Sequence, residues 1–284
     1  MIIARINGGL GNQMFQYAAA KALSIKNNTE VKLDISGFSR DQLRNFDLIN
    51  LNADVSIASK NEIDQLKAFN SFDRVRAKLT SNKKKKFYKQ PFFHFDTNFF
   101  NLGSNVYIQG YFQSEKYFQK IKEIIKKDFA INHEVIGNVL EFSTQLKSIN
   151  SVAIHIRKGD YKNVETQKVH GVLPIEYYQA AINKITALVQ DPWFYIFTDD
   201  KTWAEQNLQL PNSTIVSGNI STNHFEDLFL MSHCSHNIIA NSSFSWWGAW
   251  LNKNENKVVI TPANWFKNGP RDLQDLIPKT WTTI

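Results

Sequence analysis

The sequence predicts an α/β protein built as two Rossmann-like lobes with parallel sheets, and three observations carry that prediction. Apolar segments of strand length alternate with helical stretches along the chain, the pattern of βαβ units around a parallel sheet. A glycine turn follows the first apolar segment directly, and a fresh strand begins after Asn150-Ser151. With 284 residues, 43% of them hydrophobic and 13% aromatic, the chain has material for two cores. The break is expected near residues 130–150, giving lobes of 1–140 and 141–284, with the C-terminal tail returning to the first lobe.

In order, "MIIARI" reads as a strand and "NGGLGNQ" as a turn. The helix that follows places Phe15, Ala18, Ala19 and Ala22 on one face. "EVKLDIS" alternates as a second strand. An irregular, charged stretch runs to about Phe100, and "NVYIQGYFQSEKYFQKIKEIIKKDF" then gives a strand and a helix with a lysine-rich end. In the second half the strands are "VAIHIRKGDY", "WFYIFTDD", "STIVSG", "NIIAN" and "KVVIT". Between them lie helices in "IEYYQAAINKITALV", "TWAEQNL", "HFEDLFLMSHC" and "SFSWWGAWL".

Composition excludes several classes. No apolar run approaches the roughly 18–20 residues that cross a bilayer, and no signal-peptide pattern is expected at the start. The single cysteine, Cys234, rules out an internal disulfide framework and fits a reducing cytosol. The net charge of +7 is local: eight basic residues and no acid lie between Arg74 and Gln90, and without them the chain stands at −1. A solvated loop, a patch for anionic lipid or an acidic acceptor, and nucleic acid are the readings of that segment. No nucleic-acid-binding motif accompanies it, so no nucleic-acid partner is expected.

In open α/β sheets ligands sit beyond the carboxyl ends of the strands, so the residues found there are the candidates. His155 and Arg157 share one strand face, with Lys158, Asp160 and Tyr161 following. An Arg fork and a Lys point charge suit a phosphate, while Asp160 is a base or simply their ion-pair partner. Asp199 and Asp200 end the next strand, for a metal, a helix cap or a ribose hydroxyl. Asn241, Ser242, Ser243 and Phe244 lead from a strand into a helix, where hydroxyls and N–H groups face an anion. Asp227, on the helix before this strand, could reach the edge of a purine base. Trp246, Trp247 and Trp250 are core or a platform for a ring. His224, His233 and His236 form no closed ligand set. The opening turn lacks the third glycine of the dinucleotide fingerprint, Met14 standing there, so Gly9 and Gly11 are read as allowing close backbone approach, with Asn12 as a side-chain donor.

Taken together, "GGLGNQMFQYAAAKAL", "QGYFQSEKYF", "HIRKGDY", "FTDD" and "NSSFSWWGAWL", in this order and spacing, strongly resemble the bacterial galactoside α-1,2-fucosyltransferases of glycosyltransferase family 11. The match runs from the N-terminus to about Trp265. The resemblance implies a GT-B fold, with two lobes facing a central cleft, and transfer of L-fucose from GDP-fucose to the 2-hydroxyl of a β-galactoside. It further implies inversion and no required metal or other cofactor. By position, Arg157 would bind the β-phosphate, His155 and Asp227 the guanine side, and Ser242 and Ser243 the phosphates. Lys158 stands where the family has a second Arg, keeping the charge and losing the fork. Asp160 is the candidate base and Glu165 the second. Transfer with another linkage, or GDP-sugar binding without transfer, are the competing readings. The expected acceptor is a β-galactoside-terminated oligosaccharide, lipid-linked or part of a lipopolysaccharide. Lys83 to Lys86 would then touch an anionic membrane from the cytoplasmic side.

Overall fold

The computed structural model describes residues 1–41, 43–67, 75, 80–158, 171–270 and 272–284. It divides into two compact units, Met1–Ala130 with Asp272–Leu276, and Ile131–Arg271 with Ile277–Ile284.

The first unit holds a four-stranded parallel sheet of β1 (Ile2–Arg5), β2 (Val31–Asp34), β3 (Phe87–Lys89) and β4 (Val106–Gln109), in the order β2-β1-β4-β3. Helix α1 (Leu10–Lys26) crosses from β1 to β2 and is buried on most of its circumference, which its run of alanines permits. Helix α2 (Lys60–Leu66) starts on a capping box in which Ser59 and Glu62 satisfy each other's backbone N–H groups. The expected helix over "SEKYFQKIKEIIKKDF" is instead two 3-10 turns followed by α3 (Lys122–Asp128). The cause is aromatic packing. Tyr117 is fully buried, its ring 4.8 Å from Phe95, 4.9 Å from Phe99 and 5.3 Å from Phe112, and that cluster sets the local backbone. The lysine-rich segment also carries an element the sequence hides. β3 pairs with β4 along one side, buries Tyr88 and leaves Lys89 exposed, the usual disposition of an edge strand bearing lysine.

The second unit holds six parallel strands, β5 (Ser151–Ile156), β6 (Trp193–Thr198), β7 (Ser213–Ile215), β8 (His236–Ile238), β9 (Val259–Thr261) and β10 (Thr282–Thr283), in the order β10-β9-β8-β5-β6-β7. All six residues of β5 are buried, as a central strand covered on both faces requires. The short helices α4 (His133–Ile136) and α5 (Leu140–Lys147) precede it. Helices α6 (Ile175–Thr186), α7 (Lys201–Asn207), α8 (His224–His233) and α9 (Ser243–Leu251) connect the strands. The tryptophans of α9 are core. Trp246 and Trp247 are fully buried and Trp250 nearly so, each contributing roughly 1.5–3 kcal/mol of burial.

In both sheets the chain crosses from one flank of its first strand to the other. The chain runs from β1 to β2 on one side, crosses to β3 at the opposite edge and returns to set β4 between β3 and β1; it runs from β5 through β6 to β7, then places β8 on the opposite flank of β5. Such reversals open a crevice beyond the carboxyl ends of the two strands involved.

Candidate active site

At the reversal of the second unit, Arg157 follows β5 and Ser242 follows β8. The Arg157 guanidinium Nη1 donates to Ser242 Oγ at 2.9 Å, across 85 residues of chain. Ser242 is also the N-cap of α9, its hydroxyl accepting from Phe244 N at 3.3 Å. One hydroxyl thus ties a cation to the positive end of a helix, and both features favour an anion at that point. Ser243 and Phe244 form the first turn and are half-buried. Asn241 Nδ2 donates to the carbonyls of Gly171 and Trp265, both at 3.2 Å, fastening the loops that flank the strand end.

His155 lies one turn of the pleat below Arg157, with its ring 5.7 Å from Phe244. Burial, reinforced by the Arg157 charge, lowers its pKa to about 3, so the imidazole is neutral at physiological pH. Its Nδ1 is buried and finds no hydrogen-bond partner among the described residues.

On the β6 side, Asp199 Oδ1 accepts from Lys158 N at 2.6 Å and Asp200 caps α7 by accepting from Trp203 N at 3.0 Å. Both carboxylates therefore hold backbone. Lys158 Nζ sits 3.6 Å over the Trp203 ring, and burial lowers its pKa against the pull of Asp200 and Asp199. Beyond β7, Asp227 accepts from the hydroxyls of Ser217, at 2.7 Å, and Ser221. Burial raises its pKa and the two serines oppose that rise. The neighbouring Glu226 is buried and accepts from Thr222 N, a loop clasp that sequence reading passed over. Cys234 is buried with its thiol pKa raised, which makes it inert packing. His236 accepts from Val258 N at 2.9 Å, and His233 Nδ1 lies 2.8 Å from Phe229 O. Among the described residues no group of three His, Cys, Asp or Glu gathers as metal ligands do. Asp160 and Glu165 lie outside the described residues.

The glycine turn stands at the reversal of the first unit. Gly8 has φ +79°, and a Cβ there would meet Asn12 Nδ2 at 2.9 Å. Gly9 is the N-cap of α1 with the Arg44 guanidinium beside it, while Gly11 is buried inside the helix. The amides Gln13 and Gln16 are fully buried. Gln16 exchanges two hydrogen bonds with Asn7, and Gln13 spans Gly8 O, Asn45 O and Asp47 N. Asn12 Oδ1 accepts from Gln113 Nε2 at 2.6 Å, joining the residues after β1 to those after β4.

The whole chain, residues 1–284, matches the family described as Glycosyl transferase family 11. The chain belongs to that family. This family 11 glycosyltransferase is 34% identical to an alpha-1,2-colitosyltransferase of Escherichia coli, over 100% of the chain and 99% of the relative. It is 36% identical to the O-antigen biosynthesis glycosyltransferase WbnK of Escherichia coli, over 92% of the chain and 93% of the relative. Part of it, 52% of the chain, is 26% identical to 46% of galactoside alpha-(1,2)-fucosyltransferase 2 of Pongo pygmaeus. Among solved structures, the fucosyltransferase NodZ from Bradyrhizobium shares the fold at a TM-score of 0.53 and 16% identity, covering 87% of this chain and 91% of NodZ. Two α/β lobes on parallel sheets, of the GT-B type, are thus the fold of this glycosyltransferase. No helix among the described residues is long and apolar enough to cross a membrane.

Proposed function

We propose that this glycosyltransferase moves L-fucose from GDP-β-L-fucose to the 2-hydroxyl of a terminal β-galactoside, with inversion and without a required metal. The observation that carries the reading is the Arg157–Ser242 bond at the reversal beside β5, where a guanidinium fork and a helix N-terminus converge on one anion position. A departing nucleoside diphosphate needs that: as the C1–O bond breaks, the electron pair goes to the β-phosphate oxygen. Fixed donors stabilise the new charge. Asp199 and Asp200 are each engaged with backbone N–H groups, which supports charge neutralisation by Arg157 and Lys158 over a metal held by the acid pair. His155, being neutral, contributes shape and a hydrogen bond. Asp227, held by two serines, faces the guanine edge. Asp160 takes the proton of the attacking hydroxyl, with Glu165 as second choice.

Linkage is the best-supported part of the finer reading, because the colitosyl and the galactoside fucosyl relatives both carry α-1,2 in their names. The donor sugar is what divides them. Colitose is fucose without its 3-hydroxyl, so colitose transfer is the second reading, favoured by the full-length match to the colitosyltransferase. A site that hydrogen-bonds a substrate hydroxyl rejects the analogue lacking it by large factors. Comparing kcat/KM on GDP-fucose and GDP-colitose with β-galactosides, with and without EDTA, and reading the product linkage by NMR therefore tests the proposal. Preference for GDP-colitose replaces the donor, inhibition by EDTA overturns the metal-free mechanism, a linkage other than 1→2 overturns the acceptor position, and donor binding without product leaves a binding protein.

The name of WbnK supports an acceptor belonging to a surface glycan. Lys83, Lys84 and Lys86 are exposed ahead of β3, and a lipid-linked acceptor would bring them to anionic headgroups at the cytoplasmic face. Salt-sensitive binding to anionic vesicles that disappears on neutralising Lys83 to Lys86 is the expected result; unchanged binding contradicts it.

A further inference from the structure

Arg157 and Lys158 are consecutive, yet their side chains are tied to opposite neighbours. β5 lies between β8 and β6, and the helix that follows each of those strands takes one of the two cations. On the β8 side Arg157 donates to Ser242, the N-cap of α9. On the β6 side the Lys158 ammonium sits 3.6 Å over the ring of Trp203, in the first turn of α7.

Asp199 and Asp200, the acid pair that ends β6, build the second tie. Asp199 Oδ1 accepts from Lys158 N at 2.6 Å, which fixes the backbone one residue beyond Arg157. Asp200 Oδ1 accepts from Trp203 N at 3.0 Å, which fixes the backbone that carries the indole. Adjacent carboxylates thus hold the two halves of one cation–π pair. Such a pair strengthens as water is excluded from it. Here the indole is sheltered, since Trp203 packs against the core of the unit with its ring 6.1 Å from Tyr178 of α6.

We propose that Trp203 is a positioning residue for the phosphate site: by holding Lys158 it fixes the end of β5 and keeps the Arg157 guanidinium aimed at the anion position. A donor stabilises developing charge best when it is already in place and need not be ordered during the reaction. Ser242 restrains the Arg157 side chain from one flank, and the latch of Asp199, Lys158 and Trp203 restrains its backbone from the other. Trp203 acts through Lys158 and Arg157, so the inference rests on Arg157 holding the diphosphate.

The test is calorimetric titration of GDP into the full chain. Trp203→Leu removes the π face, keeps an apolar side chain and changes no charge, so an altered affinity reports position and not electrostatics. It is expected to weaken GDP binding about three- to tenfold, and Trp203→Phe should restore most of that loss. In an Arg157→Ala background Trp203→Leu should cost less than about twofold, because the group it positions is gone. Asp199→Ala gives a second, independent reading. Loss of a carboxylate near a phosphate site favours the anion on charge alone, whereas release of Lys158 N should weaken GDP binding, again only while Arg157 is present. Wild-type affinity in Trp203→Leu overturns the inference, and so does tighter binding by Asp199→Ala. An equal loss with and without Arg157 also overturns it, being the mark of general structural damage. If Arg157→Ala itself binds GDP as wild type does, the diphosphate reading falls and the latch with it; weak binding by Arg157→Ala beside normal binding by Trp203→Leu removes the latch alone.

Discussion

The two strand-order reversals make the informative comparison in this molecule. Each is bridged by a hydrogen bond between side chains that follow neighbouring strands: Arg157 to Ser242 in the second unit, Gln113 to Asn12 in the first. The topology is the same and the chemistry is not. A cation tied to a helix cap can take up a negative charge as it develops. Two amides can only trade hydrogen bonds. Fold alone would have predicted two equivalent crevices; side chains decide which kind of ligand each can hold.

The largest break in the comparison should come from Arg157→Ala. Removing a preorganised donor to a developing charge costs about 100- to 1000-fold in turnover, and Arg157→Lys should recover only part, since the fork is lost. Ser242→Ala comes next. It frees Arg157 and uncaps α9, so turnover should fall about tenfold, and thermal unfolding should report a loss of about 1 kcal/mol. Smaller still is the contrast between two glycines. Gly8 and Gly218 both have positive φ, +79° and +76°, but a Cβ at Gly8 meets Asn12 whereas at Gly218 it meets nothing within 4 Å. Gly218→Ala should therefore cost only backbone strain, about 1 kcal/mol, and Gly8→Ala measurably more. Equal losses would mean that Asn12 moves aside freely.

The pH dependence of stability gives a separate check. His155 has a folded-state pKa of about 3 against 6.5 for the free side chain, so between those values the unfolded chain binds the extra proton. Its contribution to stability is complete above about pH 6.5 and is lost as the pH falls toward 3. A melting series from neutral to acid pH should thus slope less steeply in His155→Gln than in wild type. The pH–rate profile near neutrality should show no titration from His155.

Much of this was legible in the sequence, and the reasons are specific. Strands such as "VAIHI" and "WFYIF" are buried on both faces, so they announce themselves as apolar runs, and their carboxyl ends mark His155, Arg157, Lys158 and Asp199 as candidates. That Arg157 would choose Ser242 was not legible, because the two meet only once β5 and β8 are neighbours. β3 was hidden because one buried residue, Tyr88, is all its three positions turn inward, and lysines surround it. The helix expected after Ser114 failed because aromatic packing around Tyr117 outweighed local helical preference. Gln113 carries no charge and sits inside a string of aromatics, so only coordinates reveal that its Oε1 is buried and unmet. The capping box of Ser59 and Glu62 was readable in principle, from a serine followed three residues later by glutamate.

Calorimetric titration of GDP into wild type, Arg157→Ala and Gln113→Met asks whether the charged reversal holds the nucleoside diphosphate and the amide reversal does not. Arg157→Ala should weaken GDP binding at least about tenfold, as loss of a charge-assisted contact to phosphate does, while Gln113→Met should bind GDP as wild type does. Undiminished GDP binding by Arg157→Ala would contradict that placement.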